Sequence, residues 1–170
     1  MDVDVQIVNA FTDHGVGGNP AGVVVDADAL DTRQKLRIAS QIGLSETAFV
    51  SSSNSAAFKL DFFTPTRQIA HCGHATIATF SYLRQLKRID EGATSKETID
   101  GNRDIFIDGD MAFMEQLSPK YIDIEDRMDD VFNSLGITDD DLIPNSRPVI
   151  VNTGNSFLIV PLKNEAAVSR

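Results

Sequence analysis

The stretch Ala70-His71-Cys72-Gly73-His74-Ala75 sets two imidazoles, a thiol and a glycine side by side. It leads into a run over residues 75–83 that carries no charge and reads as a helix. The free N–H groups at the start of such a helix, with the partial positive charge of its dipole, favour a carboxylate or other anion. Gly73 lets a ligand come close to the backbone. The same field is expected to lower the pKa of Cys72 and give it thiolate character, useful to a base or a nucleophile. The residues alone leave a plainer reading open, with Cys72 a small buried hydrophobe and His74 a helix-capping side chain.

A second candidate is Glu46, the single acid of Leu44-Ser45-Glu46-Thr47-Ala48-Phe49. Partly buried, a carboxylate there would exchange protons nearer neutrality, whereas in an open loop it would be merely solvated. The glycine-dense loop over residues 15–22 matches neither the dinucleotide nor the Walker spacing, so nucleotide binding is rejected. It reads as a tight turn in which Asn19 bonds its own backbone. His71, Cys72 and His74 are too crowded to finish a zinc tetrahedron, and no second cysteine pair exists; no metal is expected. Asp139-Asp140-Asp141 lacks the ligand alternation of a calcium loop. A Cys-His hydrolase is a minor alternative use of Cys72.

Composition narrows the function classes. The chain has 170 residues, with 15 Lys+Arg against 25 Asp+Glu and a formal net charge of −10. Residues 1–88 hold eight acids and eight bases, and residues 89–170 hold seventeen acids and seven bases. Such a balance is poor for nucleic acid, and it presents no polybasic surface for anionic lipid. No membrane span is expected from a chain 42% hydrophobic and 24% charged. The one cysteine excludes an intrachain disulfide, and the acidic N-terminus lacks signal-peptide character, so a cytoplasmic location is expected.

These side chains need elements to hold them. Residues 5–11 and 22–25 read as strands around the glycine loop. Residues 32–42 have the spacing of a helix capped by Asp31 and closed by Gly43. Strands follow over 48–50 and 57–63. The helix from Gly73 to about Lys87 is apolar all round over its charge-free part, so it must be surrounded, and strands are the neighbours on offer. A curved mixed sheet or barrel around a central helix, an α+β fold, is the expectation. Strands are predicted over 98–107 and 112–117, a short acidic helix over 124–136 with Met128, Val131, Phe132 and Leu135 on one buried face, and two strands between Pro148 and Pro161.

Five segments together resemble the phenazine-biosynthesis PhzF-like family, which shares its fold with diaminopimelate epimerase and the proline racemases. They are Val8-Asn9-Ala10-Phe11-Thr12, Gly18-Asn19-Pro20-Ala21-Gly22-Val23-Val24, Leu44-Ser45-Glu46-Thr47-Ala48-Phe49-Val50, Asp61-Phe62-Phe63-Thr64-Pro65-Thr66 with Cys72-Gly73-His74-Ala75-Thr76, and the Thr153-Gly154 turn. The resemblance implies a diaminopimelate epimerase-like fold and cofactor-free proton transfer next to an activating group on a small anionic metabolite. It implies Glu46 as proton shuttle, Gly73 and His74 with Asn19 as anion-binding residues, and Cys72 where the epimerases carry a catalytic cysteine. It also implies a second domain with an Asp-Pro-x-x-Gly motif, which does not occur in this sequence. Residues 1–147 then read as the N-terminal domain and 148–170 as the first strands of a truncated second one. One domain offers one face of a site, so weak or no turnover is expected. The competing expectation is a non-catalytic half-domain that acts as an interaction module or homodimer.

Overall fold

The computed structural model describes residues 2–169 and divides the chain into two compact units, Met1–Glu115 and Gln116–Arg170. The strands expected over 148–170 lie in the second unit, together with residues 116–147.

The first unit begins with β1 (Gln6–Ala10) and β2 (Asn19–Val24), antiparallel across the glycine loop. Asn19 is therefore the first residue of a strand, opposite Ala10, and the loop is instead closed by Asp13 and Val16, which exchange backbone bonds of 3.0 and 2.9 Å. Helix α1 (Thr32–Ile42) has its predicted bounds because both ends are chemically marked. The Asp31 carboxylate accepts from the Gln34 N–H while Gln34 returns a bond to the Asp31 N–H, and Gly43 closes the helix at φ 71°. Then come β3 (Thr47–Ser51), β4 (Phe58–Phe63), the short β5 (Gln68–Ile69), helix α2 (Gly73–Gln85), β6 (Gly92–Thr98), β7 (Gly101–Asp108) and β8 (Met111–Met114).

These strands form one mixed sheet in the order β1-β2-β3-β4-β6-β7-β8, with β5 paired to β4. The β2/β3 and β4/β6 pairs are parallel and the others antiparallel. The sheet curves as a half-barrel around α2, which touches strands from both ends of that order, β1 and β8. Ala75, Ala78, Phe80 and Leu83 of α2 are buried against Ala21, Val23, Ala48, Val50, Phe62 and Ile105. Two threonines tolerate this because their hydroxyls donate to the preceding turn, Thr76 to the Cys72 carbonyl at 2.6 Å and Thr79 to the Ala75 carbonyl at 2.7 Å. Helix α1 covers a second cluster built on Ala39, Phe49 and Phe63.

The strand expected over 98–107 starts later, as β7 at Gly101, where φ is 97°, and it is preceded by a strand that was not expected, β6, which ends at Thr98. Strand β6 carries Thr94, Ser95, Lys96, Glu97 and Thr98, so an apolar alternation could not reveal it.

The second unit holds β9 (Lys120–Ile122), a 3-10 turn over Glu125–Arg127, helix α3 (Met128–Leu135), β10 (Val149–Asn152), β11 (Ser156–Ile159) and the short α4 (Glu165–Val168). Its three strands form an antiparallel sheet in the order β11-β10-β9. The acidic helix thus starts later than predicted, and its apolar side is only half-buried, with Leu135 exposed. Among the described residues no helix is long and apolar enough to cross a membrane.

Candidate active site at the start of the buried helix

Glu46 precedes β3, and its position depends on how closely β2 approaches. The Gly22 N–H donates to the Glu46 carbonyl at 3.1 Å, and Gly22 pairs with Thr47. A Cβ at Gly22 would stand 2.8 Å from Thr47 Oγ1, so this contact between strands requires glycine. Cys72 is the N-cap of α2 in extended conformation, and its side chain makes no capping bond. Gly73 and His74 form the first turn.

The fold brings three of the five candidate residues into contact. Cys72 Sγ lies 3.4 Å from His74 Nδ1, and His74 Nε2 lies 3.3 Å from Glu46 Oε2. The second contact is close enough for an ion pair yet is not aligned as a hydrogen bond, leaving Nε2 buried without a hydrogen-bond partner among the described residues. The His74 and Glu46 side chains are 12% and 20% exposed, so the group is sheltered but reachable. His74 is therefore no helix cap; its imidazole stands between a thiol and a carboxylate.

Gly73 adjoins this group with open space above it. An added Cβ there would meet nothing nearer than Met114 Cε at 3.9 Å, so protein packing does not demand the glycine. What its missing side chain leaves is room for a ligand at the helix N-terminus. Asn19 is exposed at the start of β2, and among the described residues it joins neither contact of the cluster.

One expectation is corrected. The helix field does not depress the Cys72 thiol; burial pushes it up to about 11, and the Glu46 charge adds to the rise. The N–H groups of Ala75 and His74 and the charge of Lys96 oppose the shift without overcoming it. At neutral pH Cys72 is a protonated thiol, suited to give a proton rather than to attack.

The ligand atoms of Glu46, Cys72 and His74 all lie within 4.8 Å of one another, a spacing that a metal ion could use. The thiol and the carboxylate, however, approach different imidazole nitrogens, and one ion takes only one of these. The three side chains make one continuous run of contacts, from thiol to imidazole to carboxylate.

Sequence reasoning missed Lys96. It is fully buried in β6, and its ammonium donates to Thr76 Oγ1 at 2.7 Å, reaches His71 Nδ1 at 3.4 Å and lies 5.1 Å from the centre of the Phe62 ring. The signal was its parity: Lys96 shares a strand face with Thr94 and Thr98, once β6 is known to be a strand.

The family profile described as phenazine biosynthesis-like protein (PhzC-PhzF) matches residues 8–170. The chain belongs to this family. The PhzF-like chain is 33% identical to an uncharacterised isomerase, YddE of Escherichia coli O157:H7, over 99% of its own length and 59% of the relative's. It superposes with a TM-score of 0.86 on the crystal structure of a Bacillus anthracis phenazine biosynthesis protein of the PhzF family, at 33% identity, covering 99% of this chain and 58% of that one. A predicted epimerase from Pseudomonas aeruginosa shares the fold at a TM-score of 0.83 and 19% identity, over 99% of this chain and 62% of that one. The PhzF-like chain thus spans under two thirds of the length of these relatives.

Proposed function

We propose that this chain carries the proton-transferring part of a PhzF-like isomerase or epimerase that acts, without a cofactor, on a small anionic substrate. The reading rests on the run of contacts from Cys72 Sγ through His74 to Glu46 Oε2 at the open start of α2. The substrate carboxylate sits against the N–H groups of Gly73 and His74, with Asn19 at the rim. Glu46 accepts a proton from a carbon made acidic by a neighbouring carbonyl or conjugated group. Cys72, held protonated by its burial, returns a proton to the substrate, and the imidazole carries one from Glu46 back to sulfur, so the enzyme ends as it began. Both groups flank one imidazole, an arrangement that suits a shift of a proton within a conjugated substrate. Inversion of a stereocentre wants groups on both faces, and those belong in the length that the relatives have beyond the matched part. The division into a domain over residues 1–147 and the first strands of a second from 148 belongs to this reading, as do a cytoplasmic location and weak turnover by the chain alone.

The test is hydrogen exchange in deuterated water with a panel of small carboxylates bearing an acidic C–H. Slow exchange that falls at least about tenfold in Glu46→Gln is expected. Exchange lost in Cys72→Ser but kept in Glu46→Gln would instead make this a thiol enzyme.

A second reading, self-association of a half-domain, draws on the second unit. Tyr121 and Ile122 of β9 and Phe157, Leu158 and Ile159 of β11 are all exposed. A second copy of this chain is the occupant that this reading names, and mass in solution separates it from a monomer.

A further inference from the structure

We propose that Lys96 is a positioning residue of this site: from inside the half-barrel it anchors the first turn of α2 and supplies the positive charge that an anion at Gly73 and His74 requires. The proposal rests on reading the start of α2 as an anion site. Its geometry is a short chain of donors and acceptors. The Lys96 ammonium donates to Thr76 Oγ1, and the Thr76 hydroxyl donates onward to the Cys72 carbonyl. Lys96 therefore holds the residue that bears the thiol and the turn whose N–H groups face the ligand.

An ammonium in the core carries a large desolvation cost, and a methionine of similar length would fill the space without it. Among the described residues no carboxylate pairs directly with this ammonium; Asp100, whose charge favours it from nearby, is engaged by Arg103 at 2.5 Å. Among the described residues, the charged and titratable groups around Lys96 are His71 and Cys72 at the head of α2, Asp100 in the β6–β7 turn and Arg103 opposite it on β7; β4 contributes the Phe62 ring and sets Phe58 opposite Lys96 in register. His71, pushed down to about 4 by burial, is neutral at ordinary pH and accepts from the ammonium. Among the residues that form the site none is a lysine or arginine. A cation beneath the helix start gives what the first-turn N–H groups lack, a full charge that desolvation strengthens.

Burial pushes Lys96 down to about 7, so the charge is present below that pH and fades above it. Cys72 is the sole cysteine, which makes it a local probe. The full chain is alkylated with anionic iodoacetate and with neutral iodoacetamide, and initial rates are followed by mass spectrometry. Their ratio cancels thiolate fraction and accessibility and reports the local field. The ratio is expected to fall about fivefold between about pH 6 and pH 8, to keep that step in His74→Gln, and to lose it in folded Lys96→Met. A ratio independent of pH in the wild type overturns the proposal, whether or not Lys96→Met folds. So does a step that His74→Gln abolishes or that Lys96→Met keeps. No turnover is needed for this readout, so absence of an exchange substrate would count against the isomerase reading and leave the role of Lys96 standing.

Discussion

At the scale of single residues, Cys72 illustrates how two opposing fields are decided by magnitude. A helix start favours a thiolate, yet the surrounding core and the Glu46 carboxylate disfavour it more, and the thiol is pushed up to about 11. The sign for stability follows from linkage. A thiol whose pKa is higher in the folded chain than its ordinary 9.0 stabilises the fold fully below about pH 9, and that contribution is lost as pH rises through about 11. Thiolate absorbance in the ultraviolet is therefore expected to titrate with a midpoint near 11, and to move toward the ordinary value in urea. A midpoint below 8 would favour Cys72 as a nucleophile and count against the proton-donor role proposed for it.

At the scale of elements, the site depends on β2 and β3 lying in close register while α1 only covers the far face of the sheet. Gly22→Ala would push a methyl into Thr47, which directly follows Glu46 in sequence. A loss of about 1–3 kcal/mol is expected from overpacking, together with faster loss of any Glu46-dependent exchange. Asp31→Ala removes the capping box of α1 and is expected to cost about 1 kcal/mol while leaving the site's chemistry intact. Urea denaturation of both variants, with exchange measured in parallel, separates the two effects. Equal exchange in both would show that the β2–β3 approach does not position Glu46.

At the scale of the whole molecule, net charge and exposed apolar surface act against each other. The chain carries −10, with seventeen of its acids in residues 89–170, while the sheet β11-β10-β9 exposes Tyr121 and Phe157. Repulsion between copies is screened by salt, whereas apolar contact is not weakened by it. If the sheet face pairs with a second copy, sedimentation is expected to show a dimer that tightens from low to high salt and that Phe157→Asp disrupts. A monomer under all these conditions would remove the self-association reading.

Local chemistry made much of this protein legible before any folding. Asp31 and Gly43 mark α1 because capping is an interaction between near neighbours in sequence, and a charge-free helix announces its own burial. The five motif segments carried the family and, with it, the half-barrel. Tertiary structure alone decided the rest. Strand β6 is polar by composition, so only its pairing with β4 and β7 shows that Lys96 points inward. The thiol's direction of shift is a sum over a core that several strands assemble, and no window of sequence contains that sum. Glu46 meets His74 across 27 intervening residues because β2 draws β3 against the helix start. Periodicity and capping are short-range and can be read along the chain; desolvation and the meeting of distant side chains depend on which elements pack together.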